Sequence, residues 1–203
     1  MSNQNAKRTY DSSSRQAAAT ETRERICAAA EELFLAKGYA RTSMSAVAKA
    51  AGVGEATVYV VFENKSTLLN AVILRAVADN DSGELEEITS MPPNAVLPRF
   101  ASGQAMVLER AAPLIALGES AAQMDAELRP FRDQAQRNLR AAFRKVADQL
   151  DDGGLLRLDA QAAADTIYAI SSEATFLRMT EGVGMSADEY ASWLCDTLAA
   201  ALF

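Results

Sequence analysis

The sequence predicts an all-α fold, and three observations predict it. Apolar residues recur at three- and four-residue spacing through most of the chain, no stretch alternates as a half-buried strand would, and glycine or proline clusters interrupt the pattern only at widely separated points. With 203 residues, 49% of them apolar and 23% charged, the chain can bury a substantial core.

The elements follow in order. Residues 1–19 carry no apolar period and are expected as a disordered N-terminal arm with Lys7, Arg8 and Arg15 as scattered positive charges. Thr20 is an N-cap residue type, and Ile26, Ala29, Ala30, Leu33 and Phe34 then form the stripe of a first amphipathic helix that Gly38 ends. Ser43 caps a short helix to Ala51 with Met44, Val47, Ala48 and Ala51 on its apolar face, and Gly52 closes it. A third helix runs from Glu55 to Phe62 with Val58 and Phe62 inward, and Asn64 caps a fourth beginning at Lys65. The segment 80–94, holding Gly83 and Pro92-Pro93, is the expected boundary, with a helical continuation around 84–88. Beyond it helices are expected at 95–117, 119–128, 128–151, 159–181 and 187–202, with Pro98 in a first turn and Pro113 breaking or kinking its helix. This gives an arm over 1–19, a small head over 20–75 and a body over 76–203.

Composition excludes several classes of function. Histidine is absent, which removes the commonest general base, the commonest metal ligand and any Ser-His or Cys-His nucleophile. Cys27 and Cys195 stand far apart without metal-ligand companions and read as reduced apolar fillers. No enzyme, cofactor or metal is expected. Neither a secretory apolar region nor a membrane-length run is present, which predicts a cytoplasmic protein with no membrane partner. Residues 1–75 hold ten Lys and Arg against seven Asp and Glu, a net of +3; the rest holds ten against twenty, a net of −10. A mildly basic head on an acidic body fits a polyanion partner for the head alone.

The helix pair 43–51 and 55–62, joined by a glycine turn, has the form of a DNA-reading helix-turn-helix, although a plain αα-hairpin in a bundle has the same local signal. The particular residues weigh in. Gly38-Tyr39-Ala40-Arg41-Thr42-Ser43-Met44-Ser45-Ala46-Val47-Ala48-Lys49-Ala50-Ala51-Gly52-Val53, then Thr57-Val58-Tyr59, Phe62 and Lys65, closely resemble the DNA-binding domain of the tetracycline-repressor-like (TetR) family. The resemblance covers residues 20–75 and is weak over 95–203. It implies a three-helix DNA-binding domain joined by a linking helix to a helical ligand-binding and dimerisation domain. It implies phosphate contacts from Ser43, with help from Thr42, and from Tyr59 and Lys65, and base contacts from Ser45, Glu55, Thr57 and Val60. The sequence departs from the family pattern at Gly54, where a capping Ser is frequent, and at Val60-Val61.

Two copies of such a head are usually held together by a dimer. The last two helices are unusually apolar, and Ala164, Ser171, Thr175, Tyr190, Trp193, Leu194, Thr197 and Leu198 are the expected interface, the last helix opening on the capping-box pattern Ser186-Ala187-Asp188-Glu189. If the resemblance holds, the middle helices enclose an effector cavity, for which Phe100, Gln104, Met106, Leu114, Phe131, Leu139, Phe143 and Phe176 are the expected lining. An apolar or aromatic molecule anchored by Gln104 or Arg178 is the expected effector. The reading is therefore a sequence-specific, ligand-released repressor acting as a homodimer on double-stranded operator DNA. The alternatives are a constitutive DNA-binding regulator and a helical ligand- or lipid-binding protein or enzyme carrying an HTH-like hairpin.

Overall fold

A computed structural model describes residues 4–78, 87–88 and 90–203, with the side chains of residues 4–13 left aside. Among the described residues the chain is helical without strands, as expected. It divides into two compact units, Met1–Val72 and Ile73–Phe203. The division falls inside the fourth helix, three residues before the expected boundary at 75, and most of the expected linker lies outside the described residues.

In the first unit α1 (Gln4–Lys37) is longer than expected. Its start replaces residues 4–19 of the expected arm, because Ala17, Ala18 and Ala19 are strong helix formers and continue the turn structure without needing burial. Thr20 is consequently interior rather than capping, its hydroxyl donating to the Gln16 carbonyl at 3.0 Å. The buried stripe holds Ile26, Ala29, Ala30 and Phe34. Two short helices follow, α2 (Met44–Ala51) and α3 (Glu55–Phe62), and then α4 (Lys65–Ala78).

The second unit contains α5 (Pro93–Met124), a 3₁₀ turn (Ala126–Leu128), α6 (Arg129–Asp152), α7 (Ala160–Ile170), α8 (Glu173–Leu177), a π-helical turn (Arg178–Val183) and α9 (Ala187–Leu202). Two expectations are corrected. Pro113 does not break its helix: α5 runs through both Pro113 and Gly118, since a proline in a helix side facing solvent loses one hydrogen bond while the surrounding turns stay packed. The expected helix 159–181 is instead divided. Ser171 Oγ donates back to the Ile167 carbonyl and Ser172 Oγ accepts from the Thr175 amide, so two serines end one helix and start the next. The capping box of α9 forms as expected, with Ser186 Oγ accepting from Glu189 N at 3.2 Å and Glu189 Oε2 accepting from Ser186 N at 2.8 Å. The Ser186 amide first, and the Ser186 hydroxyl second, hold the Glu189 carboxyl below its ordinary pKa.

The core of this unit is built on Val96, Leu97, Phe100, Phe143, Leu150, Ile167, Tyr190, Leu194 and Leu198. Phe100 meets Phe143 edge-on at 5.4 Å, and Phe176 meets Tyr190 edge-on at 4.9 Å. No single described helix is long and apolar enough to cross a membrane.

Candidate DNA-binding head and effector site

The head is assembled from local devices. Ser43 sits in extended backbone (φ −107°, ψ 153°) and its Oγ accepts from Ala46 N, starting α2. Gly52 takes the left-handed conformation (φ 66°, ψ 35°) that closes α2, where a side chain would be strained. The chain then turns through 109° from α2 to α3, within the range of reading helix-turn-helices. Val58 and Phe62 anchor α3 inward, and Arg23 lies over the Phe62 ring at 4.4 Å. Asn64 Oδ1 accepts from Thr67 N at 2.8 Å and from the Ser66 and Thr67 hydroxyls, fixing the start of α4.

With one face so fastened, the other is left to solvent. Ser43, Ser45, Glu55, Thr57, Tyr59 and Val60 are all exposed, Tyr59 by 47% and Val60 by 85%. Burial of a valine side chain is favourable by roughly 1.5–3 kcal/mol, and Val60 forgoes nearly all of it within this chain. Lys49 and Arg41 are also exposed, with Arg41 Nε donating to the Lys37 carbonyl.

Two expected phosphate contacts are placed differently. Thr42 is buried, and its hydroxyl faces the carbonyls of Gly38 at 2.9 Å and Leu33 at 3.1 Å, so it fastens α1 to the turn and is not offered to DNA. Lys65 is half-buried: Nζ donates to the Tyr39 carbonyl at 3.0 Å and stands 4.2 Å from the centre of the Tyr39 ring. The cation is thereby held over a named seat. Sequence reading missed Tyr39 as that seat, which lies 26 residues away and leaves no local signal.

The expected effector residues of the body do not form one cavity lining. Phe100, Leu114, Phe143 and Phe176 are core residues, Met106 and Leu139 are on the surface, and Phe131 is half-buried. Gln104 Nε2 donates to the Ser171 carbonyl at 2.9 Å, satisfying an acceptor beside the break between α7 and α8. It is a structural bridge where an effector anchor was expected. Of the eight, Phe176 borders a groove of about 290 Å³ whose walls also carry Glu109, Pro113, Leu177, Glu181 and Met185. Arg178, the other expected anchor, is exposed and is not part of that wall.

The expected interface residues split into two sets. Tyr190, Leu194 and Leu198 repeat every four residues on one side of α9 and are fully buried within the chain, as are Ala164 and Ser171 to within a few per cent. They serve the chain's own core, and this corrects their assignment to an interface. Trp193 and Thr197, off that side of α9, are only half-buried, as is Thr175 on α8. Cys195, on α9 with Trp193 and Thr197, is half-buried, and burial followed by the neighbouring Asp196 charge pushes its thiol pKa up.

Comparison with known proteins decides the identity of the head. Residues 26–72 match the family described as "Bacterial regulatory proteins, tetR family". The chain carries a TetR-family DNA-binding domain. Solved structures extend the likeness over the fold as a whole. NalD of Pseudomonas aeruginosa, the secondary repressor of the MexAB-OprM multidrug efflux pump, is 25% identical with a TM-score of 0.69, covering 90% of this chain and 97% of that one. SmeT in complex with triclosan is 24% identical at TM-score 0.73, covering 89% and 91%. The fatty acid degradation regulator FadR of Bacillus halodurans is 17% identical at TM-score 0.73, covering 89% and 99%. With that domain the protein is a DNA-binding transcriptional regulator, and the reading of the α2–α3 pair as a plain αα-hairpin is set aside.

Proposed function

We propose that this regulator is a repressor that binds double-stranded operator DNA as a homodimer and is released by a small-molecule effector. The observation that carries the DNA-binding half is the bare face of α3 on a scaffold fastened from behind. Ser43 and Tyr59 are the phosphate contacts, acting with the helix N-terminal amides; Ser45, Glu55, Thr57 and Val60 read base edges in the major groove. Val60 packs on thymine methyl groups and Glu55 accepts from cytosine amino groups, which gives this head a more apolar and less cationic reading surface than its basic residues alone would suggest. Lys65 acts by bracing α4 against Tyr39, with its remaining ammonium protons available to a phosphate.

NalD's role as a repressor and the triclosan bound to SmeT support the ligand-released reading, as does the open groove in the body. The half-buried side of α9 around Trp193 and Thr197 supports a dimer, and Thr175 of α8 is likewise half-buried. The protein has no catalytic role in this reading and works in the cytoplasm.

The test is a mobility shift of the full chain on DNA upstream of its own coding region, repeated over a range of salt. Saturable binding with a steep salt slope is expected, and Tyr59→Phe should weaken it roughly fivefold to tenfold while leaving the thermal midpoint unchanged. Absence of specific binding both there and in a genome-wide selection ends the repressor reading.

A further inference from the structure

We infer that Arg41 is a further DNA-contacting residue of the head, its guanidinium gripping a backbone phosphate beside the start of α2. Between Gly38 and Lys65 the chain holds three cations, Arg41, Lys49 and Lys65, against two carboxylates, Glu55 and Glu63. In a head so poor in charge, affinity depends on where each cation is held, because cations on phosphates supply the sequence-independent part of DNA binding. Lys65 is already engaged by Tyr39, and the Thr42 hydroxyl is turned inward. The edge at residues 39–43 thus lacks the contact expected of Thr42, and Arg41 is the charged side chain on that edge.

The backbone that carries Arg41 is fixed at both ends. Residues 39–42 form a turn in which the Tyr39 carbonyl accepts from Thr42 N at 3.2 Å and from Lys65 Nζ at 3.0 Å. The Thr42 hydroxyl ties the far end of the turn to the Gly38 and Leu33 carbonyls. Ser43 follows at once as the N-cap of α2. Arg41 therefore shares its turn with the Lys65 ammonium. It also precedes the amide end of α2, where the dipole is positive and Ser43 is already assigned to a phosphate.

The side chain is tethered as well as placed. Its Nε donates to the carbonyl of Lys37, the last residue of α1, at 3.0 Å. That helix end presents carbonyls without partners in the helix and the negative end of its dipole, so a guanidinium is held there. The bond uses one edge of the planar fork. Nη1 and Nη2 hold no hydrogen bond or ion pair among the described residues, and Arg41 is exposed. Two parallel N–H groups along that remaining edge match two oxygens of a phosphate. A fork already anchored at Nε also gives up less rotamer freedom on binding than an untethered cation would.

The contact deepens the proposed DNA-binding role and rests on it, and the experiment keeps the two apart. Mobility shifts of the full chain over a range of salt compare the wild type with Arg41→Gln and Arg41→Lys, on the upstream DNA and on an unrelated duplex of equal length. Arg41→Gln should weaken binding about tenfold on both duplexes and lower the salt slope by about one. Equal loss on both is the mark of a phosphate contact, which carries no sequence information. Arg41→Lys should keep the slope yet stay about threefold weaker than wild type, because an ammonium cannot hold the Lys37 carbonyl and two phosphate oxygens in one plane. The tether is exposed, so both variants should melt with the wild type. Unchanged affinity and slope in Arg41→Gln overturn the inference, as does a loss confined to the upstream DNA or full recovery in Arg41→Lys. A wild type without preference for the upstream DNA counts against the operator reading alone, since the Arg41 contact is still read on the unrelated duplex.

Discussion

The head and the body solve opposite problems. In the head, short helices are fixed by satisfied local bonds: the Ser43 cap, the two carbonyls that face the Thr42 hydroxyl, the Asn64 cluster and the Lys65–Tyr39 contact. In the body, long helices bury large aromatic groups but retain a proline in mid-helix, a π-helical turn and a buried tyrosine hydroxyl with no hydrogen-bond partner among the described residues. A reading surface has to hold side chains at base-pair spacing, so its scaffold is over-determined. In the proposed sensing role the body has to change its state population when a ligand arrives, which a uniformly satisfied bundle would resist. Even the head keeps one irregularity, Glu63 at φ 54°, and it sits at the tight junction between α3 and α4.

The largest expected effect tests whether the head stands by itself. Phe62→Ala removes a fully buried ring that Arg23 covers, and should cost about 3–5 kcal/mol by cavity formation. Operator binding should be lost while a thermal transition belonging to the body remains where it was. A single transition that moves as a whole would break the separation of the two units.

Next comes Thr42→Val, which keeps the shape but removes a buried hydroxyl. Leaving the Gly38 and Leu33 carbonyls with one donor fewer should cost about 1–3 kcal/mol. Because Thr42 is not a phosphate contact, the salt slope of operator binding should be unchanged once the variant is assayed well below its melting point. A shallower slope would return Thr42 to the DNA interface.

In the body the matching substitution has the opposite sign. The Tyr190 side chain is fully buried and its Oη has no hydrogen-bond partner among the described residues, so Tyr190→Phe should raise stability by about 1–2 kcal/mol. The pH dependence gives a second reading. Burial pushes the Tyr190 pKa up to about 12 from the ordinary 10.0. Below pH 10 both folded and unfolded chains hold the phenolic proton. Between 10 and about 12 the unfolded chain releases it first, so stability falls as pH rises through that window. Denaturant titrations of the Phe variant should lack that part of the alkaline loss; an identical loss would mean that the hydroxyl is hydrated in the folded chain.

The same contrast explains what could be read from the sequence. The helix ends inside the head were legible because each depends on residues within one turn: Gly38, Ser43, Gly52 and Asn64 act on amides and carbonyls three or four positions away, whereas the start of α1 at Gln4 was not. The seat of Lys65 was not, since Tyr39 lies 26 residues earlier, in the turn after α1, and leaves no local signal beside Lys65. In α9 the apolar spacing correctly marked a helix, yet it could not tell Tyr190, Leu194 and Leu198, which are spent on the chain's own core, from Trp193 and Thr197, which are not. Aromatic positions on α5 and α6 were equally ambiguous between core and cavity. The groove had no sequence signal at all, because glutamates at solvent positions are ordinary and a π-turn leaves no compositional mark.

The smallest expected effect bears on the head's one missing cap. Gly54 occupies the N-cap of α3 in extended backbone (φ −69°, ψ 145°) and provides no side-chain acceptor for the first turn, unlike Ser43 at α2. That conformation suits any residue, and a Cβ there would lie 3.7 Å from Thr57 Oγ1, an ordinary contact. Gly54→Ser should therefore stabilise the head by a few tenths of a kcal/mol from the cap, and by up to about 1 kcal/mol once the reduced freedom of the unfolded chain is added. Thermal melting detects that shift. Since the serine would act on the amides of α3 and not on the exposed side chains of Glu55, Thr57 and Val60, operator preference should be retained even as affinity rises slightly through a better-ordered first turn. If preference changed instead, the loose start of α3 would itself be part of how this head selects its DNA.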